Sequence, residues 1–201
     1  MSEEIKVEAS EEVVVRFESR EEAAAAIKKK HGLENADFSG LDLSEMKITG
    51  LNAEGINLSG ADLTNSTLAA ANFEGIDLSN AQMSGIKIAA ANLEDANLQG
   101  AQLQGAIISG ANLENGNFRG SDLSDSKWMG VNVEGADFTD AKIAGAKSAA
   151  VSWSSAKVPP VETPESISPP TWLPAVFAVL VVFIILILLS KKRRQVDLGI
   201  D

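Results

Sequence analysis

Residues 91–106 read ANLEDANLQGAQLQGA, and the spacing within this stretch decides the fold. Leu93, Leu98 and Leu103 stand five apart, each preceded at two residues by Ala91, Ala96 or Ala101 and followed at two by Asp95, Gly100 or Gly105. Extended in both directions, the frame gives an apolar centre at every fifth position from Phe38 to Ile143. A period of five matches neither the 3.6 of a helix nor the 2.0 of a strand. It marks a repeat architecture.

The geometry follows from the frame. Two inward positions lie two apart, as on one face of a short strand, and the next lies three further on, across a bend. Gly, Asn or Asp at that bend supplies the positive φ of a tight corner. A chain that bends at a fixed interval and always points the same positions inward winds into a solenoid. A second period sets the number of sides: Asn recurs at 52, 72, 92, 112 and 132, and Glu at 54, 74, 94, 114 and 134. Four units of five therefore make one coil.

ANLEDANLQGAQLQGA, together with SGADLT at residues 59–64 and EGADFT at residues 134–139, resembles the pentapeptide-repeat family, whose units follow an A(D/N)Lxx pattern. The resemblance implies an all-β solenoid, a right-handed quadrilateral β-helix of about 5.5 to 6 coils over residues 35–153. Large residues at Leu41, Met46, Leu51, Ile56, Ile76 and Ile86 replace the Ala of the pattern, and Ala53 and Trp128 are unusual centres; Ser126 ahead of Trp128 offsets its volume. The period excludes the left-handed hexapeptide β-helix.

Composition agrees. Aromatic residues make up 5% of the 201, thin for a globular core but suited to an interior of Leu, Phe and Ala. There is no Cys, so neither disulfides nor thiolate chemistry is available. Glycosylation sequons at Asn57 and Asn65 follow from an alphabet rich in Asn and Ser. The net charge is −11, and residues 35–147 carry 15 acidic against 6 basic residues. Direct nucleic-acid binding by the repeats is not expected, because phosphates must be neutralised by Lys and Arg. An acidic rod could instead imitate DNA.

Residues 1–34 read as an N-terminal cap, with a short strand over 12–17 and a helix over 19–31. Ser19 and Glu22 have capping-box spacing, Glu21 and Glu22 lie in the first turn, Lys28 to Lys30 in the last, and Gly32 supplies a stop. A β-helix ends in an open strand edge, which a cap protects. Val151 and Trp153 are placed to plug the other end.

Residues 154–171 hold five of the six prolines and read as an extended linker. Trp172 to Leu189 carry no charge and would span about 27 Å as a helix. Residues 172–190 therefore read as a transmembrane helix, with Trp172 at one interface, Lys191, Lys192, Arg193 and Arg194 at the other, and a short tail over 191–201. The positive-inside rule puts the solenoid outside, whereas Met1 is followed by acidic, polar sequence without an export signal. The expected arrangement is a cytoplasmic β-helix with a C-terminal tail anchor.

Catalysis is not expected. The one histidine, His31, falls at a helix end, where a partial positive charge is favourable, and without Cys, Tyr or a second His the usual nucleophile–base pairs and metal clusters cannot be assembled. No cofactor site is predicted. Asn52, Asn72, Asn92, Asn112 and Asn132 are expected to stack as a structural ladder at about 4.8 Å. Glu54, Glu74, Glu94, Glu114 and Glu134 run parallel to it, either as a solvated face or as the surface for an unidentified basic protein partner. Lys47, Lys87, Lys127 and Lys147 line another side.

Two function classes follow. One is a non-enzymatic, membrane-anchored scaffold for protein partners. The other is implied by the resemblance: an acidic mimic of DNA that binds and protects or inhibits a type II topoisomerase.

Overall fold

The computed structural model describes residues 14–30 and 33–166. It is a parallel β-solenoid of about six coils with four sides. Each coil makes parallel bridges to the next at four points, seen for example in Asp37↔Asn57, Asp42↔Asp62, Ile48↔Leu68 and Asn52↔Asn72. On three sides the ladder is a single bridge per coil. On the third side it widens into strands: β1 (Lys47–Thr49), β2 (Thr67–Ala69), β3 (Lys87–Ala89), β4 (Ile107–Ser109), β5 (Lys127–Met129) and β6 (Lys147–Ala149).

The corners show why this sequence winds. Every fifth residue from Asn35 to Ala150 has positive φ. Gly, Asn and Asp hold most of these positions, where they adopt the left-handed conformation at least cost. On the first two sides an Asp or Asn just before the centre closes the bend: Asp37 Oδ1 accepts the Ser39 N–H at 2.9 Å, and Asp62 Oδ1 accepts that of Thr64 at 2.9 Å. The centres stack inward as one continuous core from Phe38 to Trp153. Burying each Leu or Phe is worth roughly 1.5–3 kcal/mol.

The N-terminal end is closed piecewise. Helix α1 (Arg20–Lys29) lies over the first coil with Ala23 and Ile27 buried, and the Phe17 and Phe38 rings stack at 4.4 Å. Ser19 caps the helix by accepting the Glu22 N–H at 3.2 Å, while the Glu22 carboxylate accepts from Glu18 N–H rather than from Ser19. The helix stops earlier than its sequence suggests. Lys30 takes the left-handed closing position, with its N–H directed to the Ala26 and Ile27 carbonyls; His31 and Gly32 lie outside the described residues. Leu33, fully in the core, requires the chain to leave the helix by that point.

The strand over 12–17 reduces to one bridge. Arg16 pairs with Asp37 through Asp37 N–H to Val15 O (2.8 Å) and Phe17 N–H to Asp37 O (3.0 Å), which covers the edge of the first side; residues 12–13 lie outside the described residues. On the second side the Arg20 guanidinium stands in for a missing strand, donating to the Asp42 and Ser44 carbonyls and to Asp42 Oδ1.

The C-terminal end departs from the linker expected at 154–171. Up to Ser166 the chain belongs to the solenoid: Val158 bridges Asp137, and β7 (Glu165–Ser166) extends the sheet beyond β6. Pro160 and Pro164 are buried. A proline has no N–H to offer, so it can terminate a ladder without exposing a donor; composition alone reads such prolines as a linker. The transmembrane helix read over 172–190 and the basic cluster Lys191–Arg194 lie outside the described residues. Among the described residues no helix is long and apolar enough to cross a membrane.

Candidate functional site

The fourth side carries the Asn and Glu columns. Each asparagine amide donates to the one in the preceding coil: Asn72 to Asn52 (3.0 Å), Asn92 to Asn72 (3.0 Å), Asn112 to Asn92 (3.1 Å) and Asn132 to Asn112 (2.9 Å). Asn52 donates to Glu34 Oε1 at 3.0 Å, which starts the column at the cap. An amide carries both a donor and an acceptor, so an unbroken stack satisfies itself.

Glu54, Glu74, Glu94, Glu114 and Glu134 sit two residues beyond, at the turn leading to the corner. They are joined to the ladder, since the Asn112 amide reaches Glu94 Oε2 at 3.4 Å and the Asn132 amide reaches Glu114 Oε2 at 3.3 Å. Desolvation, then the charges of Glu114, Glu74 and Asp95, push the Glu94 carboxyl above its ordinary value, against the hydrogen bond from Asn112. The column is thus a line of mutually repelling carboxylates on a rigid frame.

A second amide column escaped the sequence analysis. On the first side, Asn57 donates to Asp37 Oδ1 (3.1 Å), Asn97 to Asp77 Oδ1 (3.1 Å) and Asn117 to Asn97 Oδ1 (3.1 Å). Its signal was available as the line 37, 57, 77, 97, 117, 137, but the mixture of Asp and Asn hides it. A carboxylate only accepts, so the column breaks ahead of each aspartate. Hydrogen bonds from the hydroxyl and N–H of Ser39 and Thr139 hold Asp37 and Asp137 below the ordinary carboxylate range, aided by Arg16 and Arg119.

The lysines named from sequence fall on the third side, as outward residues of β1, β3, β5 and β6. Among the described residues no group of His, Asp and Glu converges to hold a metal ion. A groove of about 260 Å³ runs between α1 and β1, lined by Ile27, Met46 and three lysines, Lys28, Lys30 and Lys47. It contains no nucleophile–base pair. The interfacial residues Trp172, Lys191, Lys192, Arg193 and Arg194 are outside the described residues. What the molecule offers is flat surface, sorted by charge from side to side.

A family profile described as pentapeptide repeats matches in 8 copies over residues 33–65, 56–93, 87–125 and 117–147. Among solved structures, a pentapeptide repeat protein (Rfr23) of the cyanobacterium Cyanothece 51142 is 26% identical, with 53% of this chain and 90% of that one covered and a TM-score of 0.46. A pentapeptide repeat protein of the Arabidopsis thaliana thylakoid lumen is 28% identical over 57% of this chain and 71% of that one, with a TM-score of 0.35. QnrB1, a plasmid-mediated fluoroquinolone resistance protein, is 24% identical over 61% and 67%, also with a TM-score of 0.35. No curated protein matches the chain in sequence.

Proposed function

The chain belongs to the pentapeptide-repeat family, and from that premise we propose that it is a non-enzymatic, membrane-anchored scaffold whose glutamate side receives a basic protein partner. The observation that carries the reading is the alignment of Glu54, Glu74, Glu94, Glu114 and Glu134 one coil apart beside the hydrogen-bonded Asn ladder, to which Glu94 and Glu114 are joined through Asn112 and Asn132. A cationic partner converts the mutual repulsion of these carboxylates into attraction without any rearrangement of the rod.

Anchoring is by residues 172–190, with Trp172 at one interface and Lys191 to Arg194 at the other, and the solenoid on the cytoplasmic side. Protease protection in intact cells, with epitopes before Val7 and after Asp201, tests the placement; loss of the N-terminal epitope would put the solenoid outside. Docking is tested by crosslinking and co-purification of the full chain with Glu94→Lys and Glu114→Lys together. Capture of a basic protein by the wild type and its loss in the variant is expected, and unchanged capture would end the idea.

The DNA-mimic alternative calls for acid all round the rod, whereas the third side carries a line of lysines. Unaltered gyrase supercoiling in the presence of the purified protein is the expected outcome, and inhibition or protection would favour the mimic.

A further inference from the structure

One edge of β1 is left unpaired. β1 is the terminal strand of its sheet and pairs with β2 alone. In later coils the first residue of the strand donates its N–H to the coil before: Thr67 to Met46 O (2.8 Å), Lys87 to Ser66 O (3.0 Å) and Lys127 to Ala106 O (2.8 Å). Lys47, at that position in β1, has no coil before it. The corner residue after the strand normally donates to the coil that follows, as Gly50 does to Ala69 O (3.0 Å) and Ala70 to Ala89 O (3.0 Å). Lys30 stands twenty residues ahead of Gly50 with a similar left-handed φ, but its N–H is turned into α1, toward the Ala26 and Ile27 carbonyls. Among the described residues, therefore, neither the Lys47 N–H nor the Thr49 carbonyl has a backbone partner. Such an edge is a template for another strand.

The open edge lies along the groove between α1 and β1. Ile27 and Met46 give this groove apolar lining, and Lys28, Lys30 and Lys47 give it positive charge. All three lysines are exposed, and the ion pairs among the described residues are made by Arg16, Arg20 and Arg119 instead. The Lys30 ammonium reaches the far end of the edge, where a Cβ on Gly50 would stand 3.2 Å from Nζ. The acids nearest in the chain, Glu21 and Glu45, are not among the lining residues.

The other end of the sheet shows the kind of segment that this lysine line accepts. β7 lies parallel on β6, with the Glu165 N–H donating to Ala146 O at 3.0 Å and Glu165 in register with Lys147. Lys147 and Lys47 belong to one line of paired positions.

We propose that the β1 edge receives an extended acidic segment of a partner protein, added parallel to β1 as the strand before it. An acid of the segment stands opposite Lys47, as Glu165 does opposite Lys147, and the alternate residues, small and apolar, meet the Ile27 and Met46 lining. Main-chain bonds to Lys47 and Thr49 supply affinity, and the three lysines select acidic sequences. The site is separate from the glutamate side and does not depend on attachment to a membrane.

The probe is a fluorescein-labelled peptide of four Glu-Val pairs, titrated into the full-length protein. A control peptide of Lys-Val pairs is expected to bind about tenfold more weakly or worse. Changing Lys28, Lys30 and Lys47 together to Gln should weaken the Glu-Val peptide by about tenfold. Thr49→Pro keeps the lysines but removes an edge N–H, and should weaken it by about fivefold. Thermal melts check that both variants fold. A further comparison needs only the wild type: N-methylation of the valines, whose N–H groups face β1 in this register, should abolish binding, whereas N-methylation of the glutamates, on the outer edge, should change it by less than about twofold. Amide exchange by NMR reads the register directly. Binding should slow Lys47 and Thr49 and leave Gly50, already bonded to Ala69 O, unchanged.

No binding of the Glu-Val peptide, or equal binding of the lysine control, overturns the proposal. Binding that is indifferent to Thr49→Pro and to the site of N-methylation overturns it too, by reducing the groove to surface charge. Self-association of the full chain that the peptide competes away would assign the edge to a second copy instead.

Discussion

The Trp128 indole N–H donates to Ser126 Oγ at 2.8 Å, and that hydroxyl donates in turn to the Leu123 carbonyl at 2.6 Å. All three residues are buried. The relay explains how the largest side chain of the core follows Ile48, Leu68, Ile88 and Ile108 in one inward column. Ser126 makes room and supplies the acceptor that a buried indole needs, and Ser148 one coil on is small and receives the Trp153 indole N–H at 3.1 Å. Trp128, Trp153, Phe118 and Phe138 then pack against one another by edge and stacked contacts to close the C-terminal end.

Changing Ser126→Ala leaves the indole N–H buried without a partner and is expected to cost about 1–3 kcal/mol. Adding Trp128→Leu to that variant removes the donor, so the double variant should lose less than the two single losses added together. Urea unfolding of the four proteins measures the coupling; simple additivity would show that the relay contributes nothing.

Ser66 has the opposite character. It holds the position equivalent to Ser126 in an earlier coil, but its buried hydroxyl has no hydrogen-bond partner. Ala106 and Ala146 occupy the same line, so Ser66→Ala introduces a side chain that the coil already accommodates. The expected gain is about 1 kcal/mol, read as an increase in the urea midpoint with an unchanged slope.

Corner glycines are expected to differ according to the coil before them. A Cβ on Gly100 would stand 2.6 Å from Asn80 Oδ1, whereas one on Gly60 would meet nothing within 4 Å, although both have strongly positive φ. Gly60→Ala should therefore cost only the left-handed strain, about 1–2 kcal/mol, and Gly100→Ala measurably more. Equal losses in thermal unfolding would mean that the Asn80 side chain simply swings aside.

These cases show how far the sequence could be read. The corner at every fifth residue and the inward centres are visible because one period governs both, and the Asn column is visible because a single residue type repeats. What fills the space over a given corner is not, because Asn80 and Gly100 are a coil apart in sequence and adjacent only in space. The capping role of Arg20 on Asp42 and Ser44 had no periodic signal either, since it replaces a strand that the repeat lacks. Pro160 and Pro164 misled for a related reason: the lack of an N–H suits both a linker and the final edge of a ladder, and only the bridges to Asp137 and Lys147 distinguish them.

Acid should act on this fold with two opposed signs. Hydrogen bonds from Ser39, Ser44 and Thr139 depress Asp37, Asp42 and Asp137 below the unfolded value of 3.8. Burial pushes Asp122 up, but the hydrogen bonds from Ser124 and Gln104 and the charge of Lys142 bring it down. A depressed carboxyl stabilises the fold above the unfolded value, and that contribution is lost as pH falls through the folded one. Stability should thus decline below about pH 4, and Asp37→Asn should flatten the decline.

Glu94 runs the other way. Its folded value lies above the unfolded 4.5, so the native state binds a proton more readily than the unfolded chain does, and any stability from that difference is present below 4.5 and lost as pH rises through the folded value. At neutral pH the ionised side chain is a liability that Glu94→Gln removes while keeping an acceptor for the Asn112 amide. The variant is expected to melt above the wild type at pH 7, with an advantage that shrinks as salt screens Glu74 and Glu114 and disappears on acidification. Thermal melts across pH and salt check it. A gain that is indifferent to both would locate the effect in packing, and would remove electrostatic strain as a reason for the glutamate side to take a cationic partner.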